Sequence, residues 1–184
     1  MQLKPEPAVG DYTYIVKTRL SYNIEELTSI LDEVEPLIGP ENQLCVTCRP
    51  GVSNPLTDGI GRLKPNLKEK DYSEISPIFK NTIFEKILTD LDITWGRARI
   101  MRLVPNHCMT IHPDMGWRYH VALRTNPNSF IFFKDALKSY HIPVDGYVYK
   151  MDATKWHTAF NSGKRNRFHF VIADGECFDE YRPY

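Results

Sequence analysis

From Arg99 onward the chain breaks into short apolar or alternating runs, each closed by turn residues. Arg99–Val104 ends at Pro105-Asn106, Trp117–Arg124 at Asn126-Pro127-Asn128, and His157–Phe160 at Asn161-Ser162-Gly163. Cys108–Ile111, Ser129–Phe133, Tyr147–Asp152 and Arg167–Ala173 are further runs of the same kind. Short strands at this spacing bury their apolar faces by forming a sandwich or a small barrel. Ahead of them the periodicity is helical. Asn23–Glu35 puts Ile24, Leu27, Ile30, Leu31 and Val34 on one face behind a capping Asn23. Ser76 or Pro77 to Leu91 repeats that spacing through Ile78, Ile83, Phe84, Ile87, Leu88 and Leu91. Between them Pro50–Asp71, rich in Pro, Gly, Asn and Asp, reads as a long loop and a candidate lid. The expected architecture is mainly β with flanking helices. Residues 1–95 form a mixed helical and loop part packed on a barrel of residues 96–184, in one structural domain.

Composition narrows the function classes. A chain of 184 residues suits one domain with a real core, and its 42% apolar and 25% charged content excludes wholesale disorder. With 23 basic and 23 acidic side chains the net charge is zero, which argues against a dedicated nucleic-acid or anionic-membrane binder. No stretch approaches the roughly 18 apolar residues of a spanning helix, and MQLKPEPAVG lacks the apolar region of a secretory signal. Four cysteines in this length make no disulfide framework, so a cytoplasmic protein with reduced thiols is expected.

All six histidines lie after residue 106, and the residues around them carry the chemistry. His112-Pro113-Asp114 places an imidazole and a carboxylate two positions apart at a strand end, where both can enter one cavity. Joined by a distant histidine they would form a two-His-one-carboxylate triad, which leaves open positions on Fe(II); alone they also fit a surface turn. Arg118-Tyr119-His120 and Arg167-Phe168-His169 repeat Arg-aromatic-His inside apolar strands, with Arg and His on the same face. Buried guanidinium groups require an answering anion. Asp114 and Asp152 are the acids on neighbouring strands, so either Asp152 and backbone carbonyls satisfy the arginines or a bound carboxylate does. His157 begins a strand ten residues before Arg167, and a hairpin joining the two would turn both inward.

Together these segments resemble the aspartyl/asparaginyl β-hydroxylase family, whose double-stranded β-helix members include bacterial free-proline hydroxylases. The resemblance runs from about Arg99 to Asp174. It rests on H-x-D at 112–114, R-x-H-x-x-L-x-T-N-P at 118–127, D-A-x-x-x-H-x-A-x-N at 152–161 and R-x-H-x-V at 167–171. It implies a jelly-roll, cupin-like core and an Fe(II)- and 2-oxoglutarate-dependent dioxygenase that hydroxylates an amino-acid side chain, free or in a polypeptide. Dioxygen would be consumed, succinate and carbon dioxide released, and ascorbate would serve as reductant in vitro. By position, His112, Asp114 and His157 would bind iron, and Arg167 the distal carboxylate of 2-oxoglutarate. Arg118 and His120 would lie by its metal-bound end. Animal members lack the triad carboxylate; this chain has Asp114, as in the free-amino-acid branch. Rival readings are a non-catalytic cupin-like sensor of metal and a small acid, and a metal-dependent cupin enzyme that does not use 2-oxoglutarate. Cys45-Val46-Thr47-Cys48 reads as a strand with apolar thiols rather than a zinc or redox motif. The aromatic tail Cys177–Tyr184 reads as a packing segment. Substrate identity and oligomeric state are left open.

Overall fold

The structure, a computed structural model, describes residues 13–176, so the readings of the N-terminal decapeptide and of the Cys177–Tyr184 tail fall outside the described residues. In chain order the elements are β1 (Ile15–Ser21), α1 (Ile24–Val34), β2 (Gln43–Cys45), β3 (Thr47–Cys48), β4 (Glu74–Ile75), α2 (Ile83–Asp90), β5 (Trp95–Leu103) and β6 (His107–Cys108). They continue with β7 (Arg118–Arg124), β8 (Ser129–Phe133), β9 (Lys138–Tyr140), β10 (Tyr147–Met151), β11 (His157–Asn161) and β12 (Arg167–Asp174). Among the described residues, six strands form an antiparallel sheet in the order β1-β10-β7-β12-β5-β2, and four form a second sheet, β6-β11-β8-β9. Ala122, Leu103 and Met151 of the larger sheet share an apolar cluster with Ile131, Phe133 and Ala159 of the smaller one. The two sheets therefore face each other around a jelly-roll interior.

The helices cover the opposite face of the larger sheet. Leu27 and Leu31 of α1 and Phe84, Ile87 and Leu88 of α2 pack with Ile100, Val121, Leu123, Phe168, Phe170 and Ile172. Because strand side chains alternate, the same strands turn Arg118 and His120, and Arg167 and His169, toward the interior. Asn23 caps α1 by accepting from the Glu26 N–H at 3.0 Å. The second predicted helix starts later than its periodicity suggests. Asn81 adopts a left-handed φ of 59°, and Thr82 caps the new start by accepting from the Phe84 N–H. Pro77–Phe79 is thereby left as a separate 3-10 turn.

The part expected to be helix and loop also supplies both edges of the larger sheet. β1 pairs with β10, and β2 with β5. β1 has only Ile15 buried and β2 spans three residues, so neither carries a hydrophobic pattern readable from the sequence.

The long loop is tethered at several points. Arg49 forms a bidentate pair with Asp58, Leu56 O accepts from the Cys45 N–H, and Gly59 N–H donates to Cys45 Sγ. Glu69 is 2% exposed. Gly59 and Glu69 are buried, whereas Gly61, Arg62 and Lys64–Asn66 lie at the surface. No helix among the described residues is long and apolar enough to cross a membrane.

Phe84 sits edge-on between Phe79 and Phe170, joining α2 to β12. Phe84→Ala should lower the unfolding free energy by about 3–5 kcal/mol in urea titration; a loss below about 1 kcal/mol would show that this contact does not hold the helix to the sheet.

Candidate functional site

The mouth of the interior is set by main-chain geometry. His112 and His157 are bridged by two backbone hydrogen bonds, His112 N–H to His157 O at 2.9 Å and His157 N–H to His112 O at 3.0 Å. Asp114 N–H donates to Ala153 O at 2.7 Å, which fixes the third residue against the same turn. The Nδ1 atoms of His112 and His157 lie 2.6 and 2.8 Å from the carbonyl oxygens of Thr110 and Lys155. A carbonyl can only accept, so each Nδ1 carries the hydrogen and each Nε2 presents a lone pair. One ligand atom from each of His112, Asp114 and His157 lies within 4.8 Å of the others. Burial pushes the His157 imidazole below its usual pKa despite the Asp114 charge, and neutral imidazole is the form that ligates metal. Burial opposes ionisation of Asp114, but the charges of Arg118, His157 and His112 outweigh it and hold the carboxyl below its usual range.

Arg118 is fixed between two acids. Its Nε reaches Asp114 Oδ2 at 3.1 Å, and its Nη2 donates to Glu69 Oε1 at 3.1 Å. Glu69 also takes Arg97 in a side-on pair, Nε to Oε2 at 2.8 Å and Nη2 to Oε1 at 2.9 Å. Besides Asp114, the loop thus supplies Arg118 with a second anion that the strands do not carry. Gly96 makes room for it, since a Cβ there would lie 2.7 Å from Glu69. Glu69 joins Arg97 and Arg118 across 28 and 49 positions, and a surface-like Lys-Glu-Lys context gives no local sign of that role.

Deeper inside, Arg167 is 5% exposed and has no carboxylate partner among the described residues. Burial alone pushes its guanidinium down to about 9. Its Nη2 donates to His169 Nδ1 at 2.7 Å, so the hydrogen of His169 sits on Nε2, which is buried without an acceptor. His120 Nδ1 lies 3.4 Å from His169 Nδ1, and the His120 Nε2 is likewise buried and unpartnered. Burial, reinforced by Arg167, pushes His120 down to about 3, so it is neutral. A guanidinium and an imidazole N–H without acceptors are a donor set for a carboxylate, and the His112-Asp114-His157 set is one for a divalent transition metal. His157 and Arg167 do face one interior, but not through a hairpin: β11 pairs with β6 and β8, β12 with β5 and β7. Asn126 and Asn161 of the repeated motifs are structural. Asn126 Nδ2 donates to Asn161 Oδ1, and Asn161 Nδ2 to Leu103 O, which ties the turns at the far end.

Residues 71–174 match the aspartyl/asparaginyl β-hydroxylase family. The chain belongs to that family. It is a hydroxylase-type oxygenase, and Fe(II) and 2-oxoglutarate are the cofactor and co-substrate of this enzyme class. A viral collagen prolyl hydroxylase from Paramecium Bursaria Chlorella virus-1 has a similar structure, with 12% identity, a TM-score of 0.52 and coverage of 94% of this chain and 97% of that one. An oxidoreductase of the 2OG-Fe(II) oxygenase family from Burkholderia pseudomallei gives 14% identity, a TM-score of 0.53 and coverage of 88% and 86%. At these identities the likeness is one of fold. No curated protein sequence matches the chain.

In this hydroxylase Glu69, Arg97 and Arg118 are all nearly fully buried. Glu69→Ala should cost about 3–5 kcal/mol in denaturant unfolding, because it leaves two desolvated cations with less compensation. Burial works against the Glu69 charge, but Arg118 and Arg97 prevail and hold its carboxyl below the usual value. Its stabilising contribution is therefore complete above the unfolded-state pKa of about 4.3 and lost as pH falls through the lower folded-state value. Wild type should lose stability on acidification below about pH 4 more steeply than the variant; parallel curves would remove Glu69 from that role.

Proposed function

We propose that this enzyme is a cytoplasmic Fe(II)- and 2-oxoglutarate-dependent dioxygenase hydroxylating an amino-acid side chain, free or within a polypeptide. The observation that carries this reading is the convergence of His112, Asp114 and His157 with both imidazole Nε2 atoms left as acceptors. These three side chains would hold the iron, and Arg167 the distal carboxylate of 2-oxoglutarate. The bound metal, 2-oxoglutarate and dioxygen supply the oxidising power for hydroxylation, with succinate and carbon dioxide as co-products.

The protein's own contribution is orientation and charge. Lys155 O and Thr110 O lock the imidazole tautomers, and Arg118 keeps the Asp114 carboxylate turned and ionised. Arg167, with His169 fixing its Nη2, offers its remaining donors to a carboxylate in a dry site, where a charge-assisted contact is strong. His120, neutral and unpartnered at Nε2, lines the path between those two poles. A sensor, or a cupin enzyme that does not use 2-oxoglutarate, has no need of a complete two-His-one-carboxylate set together with a buried arginine placed for a dicarboxylate. A cytoplasmic setting is supported by Cys45, Cys48 and Cys108, which are free thiols.

His157→Ala should abolish stoichiometric binding of Fe(II) or Mn(II), followed by calorimetry, together with Fe(II)-dependent succinate release; wild-type metal binding in that variant would refute the ligand set. Arg167→Ala should raise the 2-oxoglutarate concentration for half-saturation about ten- to a hundredfold, since a hydrogen bond to a charged group contributes about 1.5–3 kcal/mol. An unchanged requirement would move the distal carboxylate elsewhere.

A further inference from the structure

The charge inventory of the interior leaves one cation over. Arg97, Arg99, Arg118 and Arg167 are all less than a tenth exposed. Glu69 answers Arg97 and Arg118, and Asp114 answers Arg118 again. Arg167 is the group matched to 2-oxoglutarate in the reading above. Arg99 remains.

Its hydrogen bonds all leave from one nitrogen. Arg99 Nη1 donates to Gln43 Oε1 at 2.9 Å, Gly61 O at 3.2 Å and Gly59 O at 3.3 Å, all neutral acceptors. Its Nε is buried without any partner. The Nε–Nη2 edge, which grips a carboxylate side-on with two parallel N–H bonds, is thus left without a protein acceptor among the described residues. Every other arginine of this end of the interior presents that edge or its neighbour to a carboxylate. Three acceptors on Nη1 hold the guanidinium in place, so a ligand would meet a preorganised fork rather than a mobile side chain.

The location is equally specific. Arg99 lies opposite Val171 on β12, and Val171 opposite His120 on β7, so Arg99 and His120 share one inner row of the sheet. Arg167 pairs with Leu103, four residues further along β5, which is about 13 Å of strand. One small anion held at Arg167 does not serve both. Two residues along β7 from His120 stands Arg118, whose Nε reaches Asp114 Oδ2 at 3.1 Å, so the row that holds Arg99 adjoins the metal-ligand end.

We propose that Arg99 binds a carboxylate of the substrate, so that the hydroxylated molecule is an acid gripped beside the metal-ligand set. The assignment rests on the oxygenase reading and narrows its substrate. The anion has two sources: the α-carboxylate of a free amino acid, or the side chain of an aspartyl or glutamyl residue in a peptide.

The test uses the full chain with Fe(II), 2-oxoglutarate and ascorbate, scoring succinate release above the substrate-free rate. Its arms are the free L-amino acids, their C-terminal amides, and end-blocked peptides with Asp or Glu or with Asn or Gln at one position. Stimulation is expected from a free acid with a response at least tenfold weaker from its amide, or from the acidic peptide and not its amide counterpart. The same compound should raise the melting temperature of the protein loaded with Zn(II) and 2-oxoglutarate, a readout independent of turnover. Arg99→Gln should raise the half-saturating concentration of that compound tenfold or more, with partial recovery in Arg99→Lys. Equal responses to acid and amide, no stimulating acid in the panel, or unchanged affinity in a folded Arg99→Gln would overturn the proposal. Absence of succinate even in substrate-free turnover, with no binding of 2-oxoglutarate, would instead reject the oxygenase reading beneath it.

Discussion

A guanidinium group removed from water has to be answered by an anion, and among the described residues this small barrel contains four that are less than a tenth exposed. That demand shapes the molecule. It draws Glu69 out of an otherwise polar loop into the interior, requires a glycine at position 96 to admit it, and pins the loop down at the same time. It also connects the loop to the metal-ligand end, because the arginine that holds Glu69 holds Asp114 as well. The carboxylate orientation at the mouth is therefore supported by a chain of ion pairs reaching back to residue 69. A barrel packed only with apolar side chains would be simpler to stabilise.

The larger sheet divides labour between its faces. Even-numbered residues of β12 and odd-numbered residues of β7 meet the helices, where Phe84 against Phe170 and the leucines of α1 make an ordinary core. The alternate residues line the interior with arginine and histidine. Strand periodicity alone produces this separation: a one-residue slip would put aromatics in the site and cations under the helices.

Much of this was legible in the sequence, for physical reasons. The alternation in Trp117–Arg124 and Arg167–Ala173 identified the strands and separated Arg and His from the aromatics between them. H-x-D with a later histidine marked the mouth because ligand chemistry restricts the residue types. Asn23 announced its helix by capping chemistry that is local. What could not be read depended on distant contacts. Glu69 looks like a surface residue until its two arginines arrive from β5 and β7. β1 and β2 are too exposed or too short to show alternation. The pairing of β11 and β12 with different sheets follows from closure of the whole fold, which a hairpin-length spacing between His157 and Arg167 does not reveal. Asn81 delayed the start of the second helix through its left-handed backbone.

The mutual backbone bridge between His112 and His157 has a consequence for the mouth of the barrel. The spacing of the two imidazoles is maintained by peptide groups on adjoining segments, and their ring orientation by carbonyls two residues away. None of these restraints depends on an ion. The proposed ligand set is therefore oriented by the fold itself, and a change that shifts either segment would move both imidazoles together.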